Sequence, residues 1–241
     1  MIKNIQLVFD CADPDEIMRF WGRLLGYDNQ LVAMAPARLT EWRKGFPQFD
    51  GRGRIDDEGG RRMPVYIQKV PEPKSVRNRL RPEVTTPNVE ALLDQVRTLG
   101  GRVADDGYAD VEGNEFTVVE GGREPRLSTI VIDAVDPQRL LAFWSGATGY
   151  VASGDRCDPP PGATYVLPLG DGEPRELDLI PGLRFVAADE PKRVKNRLHL
   201  DLHVTEAEAA RDRLIAAGAT VLQWDTEHVL ADPEGNEFCV G

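Results

Sequence analysis

Val194-Lys-Asn-Arg-Leu-His-Leu-Asp-Leu-His-Val204 alternates apolar and ionisable residues with a period of two. Leu198, Leu200, Leu202 and Val204 share one face and His199, Asp201 and His203 the other, the pattern of a strand buried on one side. An amphipathic strand with a merely solvated polar face would alternate in the same way. A second copy of the stretch gives it more weight. Val76-Arg-Asn-Arg-Leu-Arg-Pro-Glu-Val84 aligns with it, so Arg81, Glu83 and Thr85 stand where His199, Asp201 and His203 stand later. Two equivalent strand faces with such different charges cannot carry the same chemistry.

Both copies lie inside longer repeats. Ile5-Gln-Leu-Val-Phe-Asp10 reads as a strand, and Asp13-Pro14 places a capping carboxylate ahead of a proline at the first helical position. Ile17, Phe20, Trp21 and Leu24 then form one apolar helical stripe, with Gly26 where the helix should stop. Asp133, Asp136-Pro137, Leu140, Phe143, Trp144, Gly149 and Tyr150 repeat Asp10, Asp13-Pro14, Ile17, Phe20, Trp21, Gly26 and Tyr27, each 123 positions on. So constant an offset marks an internal duplication. Similarity returns at Glu72-Pro-Lys74 and Glu190-Pro-Lys192 and runs through the two opening stretches. It ends in Asp110-Val-Glu-Gly-Asn-Glu-Phe-Thr-Val118 and Asp232-Pro-Glu-Gly-Asn-Glu-Phe-Cys-Val240, each a turn feeding a strand. A second helix in each half ends near Gly100 or Gly218, and Thr205-Glu-Ala-Glu208 reads as a capping box. Residues 38–62, which include Trp42, and the proline-rich run 158–162 diverge and read as loops. Gly121-Gly-Arg-Glu-Pro125 has linker composition, which predicts one unit over 1–121 and another over 127–241, joined by 122–126.

The chain has 241 residues, 41% of them hydrophobic, enough for a substantial core. Its formal net charge of −11 argues against non-specific binding to nucleic acid or to an anionic membrane, both of which need clustered Lys and Arg. No run reaches transmembrane length, and the first residues lack the pattern of a secretory signal. Cys11, Cys157 and Cys239 match neither a zinc signature nor a disulfide framework. The expectation is a cytoplasmic monomer or homodimer whose partner is a small molecule.

The Asp-Pro start of a Phe-Trp helix, Lys-Asn-Arg-Leu-His-Leu-Asp-Leu, and Asp-Pro-Glu-Gly-Asn-Glu-Phe-Cys-Val resemble the glyoxalase-like proteins of the vicinal oxygen chelate superfamily, and the resemblance spans both halves. It implies an α+β fold of tandem glyoxalase-like domains, each of two βαβββ modules with curled mixed β-sheets around a cleft. It also implies metal-ligand positions on strands one, four, five and eight of each domain. These fall on Gln6, Gln68, Arg81 and Thr117 in the first half and on Thr129, Val186, His199 and Cys239 in the second. Arg81 is a fixed cation and Val186 has no donor atom, so neither set makes a usual divalent site. The expectation drawn from this is a cleft without metal or cofactor.

The residues themselves point to acid/base chemistry in the second half, carried by His199, Asp201 and Glu237, because a carboxylate beside an imidazole orients the ring and raises its pKa. His203 and Cys239 would contact the ligand there. Gln6, Tyr66, Gln68, Arg81, Glu83 and Glu115 would line a binding pocket in the first half, with Arg81 suited to an anion. One alternative is a metal-dependent lyase, isomerase or dioxygenase with a rearranged ligand set such as His199, Asp201 and Glu237. Another is a non-catalytic protein that binds or sequesters a drug-like molecule. If the chain is an enzyme, a lyase or isomerase activity is the expected kind.

Overall fold

The structure is a computed structural model that describes residues 2–27, 51–55, 63–160, 181–225 and 228–241. Trp42, Arg61, Arg62 and most of the two divergent loops lie outside the described residues. The first module comprises β1 (Ile2–Cys11), α1 (Pro14–Leu24), β2 (Arg52–Ile55) and β3 (Val65–Lys69). The second comprises β4 (Leu80–Thr86), α2 (Val89–Thr98), β5 (Arg102–Ala104), β6 (Gly107–Ala109) and β7 (Glu115–Glu120). The third comprises β8 (Arg126–Ala134), α3 (Pro137–Thr148), β9 (Val151–Ser153), β10 (Arg156–Asp158) and β11 (Gly182–Ala187). The fourth comprises β12 (Leu198–Val204), α4 (Ala207–Ala216), β13 (Thr220–Gln223), β14 (Val229–Ala231) and β15 (Glu237–Val240). Among the described residues the last three modules are complete βαβββ units.

The repeated residues make repeated devices. Asp13 caps α1 by accepting from the backbone N–H of Asp15 at 3.0 Å and Glu16 at 3.2 Å, and Asp136 caps α3 through Arg139 at 3.1 Å. Gly149 closes α3 in the left-handed region at φ 75°. The capping box expected at Thr205–Glu208 does not form: the N-cap of α4 is Glu206, whose side chain makes no cap bond. The Glu208 carboxylate instead accepts from Trp224 Nε1 at 2.8 Å and pairs with Arg211 at 2.5 Å.

The two closing motifs bind each half together. Asp110 accepts from Trp21 Nε1 at 3.0 Å, from the Asn114 side chain at 2.9 Å and from the backbone of Glu112 and Asn114. Asp232 accepts the equivalent set from Trp144, Asn236 and Glu234. Burial pushes both carboxyls above their ordinary pKa, against the opposing pull of these donors. Glu112 accepts from the backbone of Ala12 and Asp13, and Glu234 from Val135 and Asp136, so each turn also anchors the start of its half's first helix. Phe116 and Phe238 pack edge-on against Trp21 and Trp144.

The strands pair across the halves. A seven-stranded sheet runs β13-β14-β15-β12-β1-β3-β2 and an eight-stranded sheet runs β5-β6-β7-β4-β8-β11-β10-β9. Their central joints are the antiparallel pairs β1 with β12 and β4 with β8. Each sequence repeat thus gives one module to each sheet. The curled sheets expected from the sequence are not what forms. Both sheets are open and mixed, because among the described residues β13 and β2 end one and β5 and β9 end the other without pairing to each other. The apolar sides of both sheets and the stripes of the helices share one core, which includes Leu7, Phe9, Ile17, Trp21, Phe116, Trp144, Leu200 and Phe238.

Candidate functional site

Burial of Leu198, Leu200 and Leu202 turns His199, Asp201 and His203 onto the opposite face of β12. The β1–β12 register sets Val8 beside His199 and Gln6 beside Asp201, and the parallel β12–β15 register sets Cys239 beside Asp201. Gln6, Asp201 and Cys239 therefore form one row across three strands, with His199 in the adjoining row. One ligand atom from each of His199, Asp201 and Cys239 lies within 4.8 Å of the others, a spacing that could hold a metal ion.

Two carboxylates flank the His199 ring, Asp10 buried and Asp201 partly exposed. Nε2 lies 3.3 Å from Asp201 Oδ1 and Nδ1 lies 3.9 Å from Asp10 Oδ1. The Asp10 contact is too long for a hydrogen bond and the Asp201 contact is not aligned as one, and both oxygens are without a hydrogen-bond partner. Asp10 is almost fully buried, and its other oxygen accepts from Lys195 Nζ at 2.6 Å. Burial disfavours the charged imidazole, but Asp201 and then Asp10 outweigh it, and the pKa of His199 is raised above 6.5. Asp10 was legible only as part of the repeat; its position two residues beyond Val8, on the polar side of β1, is the signal that could have found it.

The other sequence candidates are distributed as follows. Gln6 is buried, and its Oε1 lies 2.7 Å from His203 Nε2 while its Nε2 donates to the Tyr66 hydroxyl at 3.5 Å. Tyr66 also carries the Arg54 guanidinium over its ring at 5.6 Å, and Gln68 pairs with Asp10 in the β1–β3 register. Glu237 is engaged elsewhere, with Lys192 Nζ at 2.5 Å and the Asn196 backbone N–H at 3.2 Å. Glu115 is held identically by Lys74 and Asn78. Arg81 makes a two-pronged pair with Asp133 at 2.6 and 2.7 Å, and Glu83 pairs with Arg184 at 2.7 Å. Asp133 is legible in the sequence only as the repeat counterpart of Asp10, and Arg184 not at all, since nothing local to either names its partner.

Pairing across the halves also regroups the metal-ligand positions that the resemblance implied. Gln6, Gln68, His199 and Cys239 belong to strands of the seven-stranded sheet, and Arg81, Thr117, Thr129 and Val186 to strands of the eight-stranded one. Every position with a usable imidazole or thiolate is thus on the same sheet, and the fixed cation Arg81 is on the other. The expected absence of a metal is weakened accordingly: His199, Asp201 and Cys239 offer nitrogen, oxygen and sulfur donors suited to a divalent ion such as zinc.

The profile of the glyoxalase-like domain matches the chain twice, over residues 6–119 and 129–241. Among curated proteins none matches. Among solved structures, glyoxalase I from Zea mays superposes with a TM-score of 0.62 at 12% identity, covering 98% of this chain and 90% of that one. Two variants of the same maize enzyme superpose with TM-scores of 0.59 and 0.57 at 12% and 11% identity, again over 98% of this chain and over 90% and 91% of theirs. No described helix is long and apolar enough to cross a membrane. With the family profile matched across nearly its whole length, the chain belongs to the glyoxalase-like family of the vicinal oxygen chelate superfamily and carries two glyoxalase-like domains in tandem.

Proposed function

We propose that this protein is a metal-dependent lyase or isomerase acting on a small oxygen-bearing organic molecule at the polar face of the seven-stranded sheet. The observation that carries the reading is the approach of His199, Asp201 and Cys239 to within 4.8 Å of one another. Asp201 Oδ1 is a buried acceptor without a hydrogen-bond partner, which is the state of a ligand atom whose partner is a cation. Three protein donors suit a catalytic rather than a closed structural site. A divalent ion held there would polarise a substrate oxygen as a Lewis acid. The thiolate donor favours such non-redox chemistry over dioxygen chemistry, which would expose Cys239 to oxidation.

The chain's own groups have separable tasks. Asp10 lies 3.9 Å behind the Nδ1 side of His199, where its charge favours a proton on that nitrogen. Lys195 balances the Asp10 charge. The 2.7 Å contact from His203 Nε2 to Gln6 Oε1 makes Nε2 the protonated nitrogen, since an amide oxygen only accepts, and positions His203 to contact the ligand. Membership of the glyoxalase-like family supports a small-molecule ligand in a cleft.

The test is the metal content of protein purified without chelator. We expect close to one zinc, iron, cobalt or nickel ion per chain, lost from His199→Ala and reduced in Cys239→Ser. Wild-type protein without metal, unable to take up any of these ions when they are added, would leave the 3.3 Å His199–Asp201 pair as a metal-free acid/base pair and overturn the proposal.

A further inference from the structure

Several buried side-chain atoms are without hydrogen-bond partners. Beside His199 they are the carboxylate oxygens Asp10 Oδ1 and Asp201 Oδ1, which accept, and Arg197 Nε at the start of β12, which donates. On the eight-stranded sheet they are Arg126 Nε and Arg184 Nε, which donate, and the Thr117 hydroxyl, which can do either. The two guanidinium nitrogens of the eight-stranded sheet call for an acceptor.

The polar side of the eight-stranded sheet is assembled by register. Glu83 lies beside Thr117 on one flank and Thr129 on the other, and Thr85 lies beside Arg126. A cavity of about 330 Å³ opens here, lined by Glu83, Thr85, Arg126, Thr129, Arg156 and Asp158 among others. That size suits a small ligand. Gly182 also faces it. A Cβ at that position would come 2.2 Å from Asp158 Oδ1, so the glycine leaves room for the Arg156–Asp158 pair at the cavity wall. The charges are nearly matched: Arg81 with Asp133, Arg184 with Glu83 and Arg156 with Asp158. Among the described residues that line the cavity, Arg126 is the guanidinium without a carboxylate partner, and its buried Nε has no acceptor. An unmet buried donor costs free energy, and an oxyanion that accepts from Arg126 in this cavity, with the Thr85 and Thr129 hydroxyls on the same wall, would recover it.

We infer that the polar face of the eight-stranded sheet is a second ligand site, one that binds a small oxyanion, a carboxylate or phosphate group, through the Arg126 guanidinium. The site stands independently of the metal reading, since it shares none of the residues His199, Asp201 and Cys239. It needs no metal.

The experiment is an NMR titration of the whole chain with inorganic phosphate and, separately, with sodium acetate, at constant ionic strength, following the backbone amides of Thr85 and Thr129. Saturable shifts with at least one anion are expected, and Arg126→Ala should weaken the apparent affinity by about tenfold or more while the melting temperature is kept. Saturation by phosphate alone assigns a tetrahedral group, and saturation by acetate a planar one. If Arg126→Ala does not fold, Arg126→Lys, which keeps the charge and loses the guanidinium fork, should show a smaller loss of affinity. Failure of both anions to saturate, or unchanged affinity in the folded Arg126 variant, would overturn the site.

Discussion

Three cysteines lie in three different environments. Burial lifts the Cys157 thiol to about 12, and burial, helped by Glu112, raises Cys11 far above its ordinary range. At mild pH neither holds an appreciable thiolate fraction, and only the thiolate is nucleophilic. Cys239 is partly exposed and sits in the row with Asp201. Iodoacetamide at pH 8 should therefore modify at most one thiol of the native chain, Cys239, and all three after unfolding, as read by intact-mass and peptide spectrometry. Added zinc should slow that one modification by tenfold or more, on the order expected when a thiolate is taken as a ligand. Labelling of Cys11 or Cys157 in folded protein would contradict this account of their burial.

Among the elements, the Asp-x-Glu-Gly-Asn-Glu-Phe turns were legible as a repeated motif, but their purpose was not. Sequence spacing shows that a turn feeds a strand; it does not show that Asp110 and Asp232 reach 89 and 88 residues back to the indoles of Trp21 and Trp144. The same gap explains Glu237. Alternation assigns it to a face with Cys239, whereas the choice of partner is made by Lys192, far away in sequence. With four donors aimed at two oxygens, Asp232→Asn would point an NH₂ group at two donors. Its cost should be roughly 1–3 kcal/mol of unfolding free energy in urea denaturation. Asp110→Asn should cost about the same, because its partners are the same. An unaffected midpoint in either variant would mean that these bonds contribute nothing net.

Over the whole molecule, duplication and strand periodicity could be read from the sequence because both are local or self-referential. Pairing between β1 and β12, or between β4 and β8, could not, since alternation fixes which face of a strand is buried and leaves its neighbour open. That is why the four metal-ligand positions, taken half by half, looked unusable, and why His199 and Cys239 find Gln6 and Gln68 on their sheet only once the halves join. The open edges of both sheets have the same origin, for closure depends on the partners of the end strands. The pairing has a testable consequence. Residues 1–121 or 127–241 produced alone would each expose two central strands as unpaired edges, so each should self-associate. Mixed after refolding, the two should form a one-to-one complex in analytical ultracentrifugation. A well-behaved monomeric half with a cooperative unfolding transition would contradict the dependence of one repeat on the other.

X-ray absorption at the zinc edge of zinc-loaded wild-type protein tests the central claim, that His199, Asp201 and Cys239 together hold a divalent metal, most directly. The account predicts one sulfur scatterer at about 2.3 Å and nitrogen or oxygen scatterers at about 2.0–2.2 Å. The sulfur contribution should vanish in Cys239→Ser and an imidazole contribution in His199→Ala. A first shell of oxygen alone, unchanged in both variants, would place the zinc elsewhere and contradict the claim.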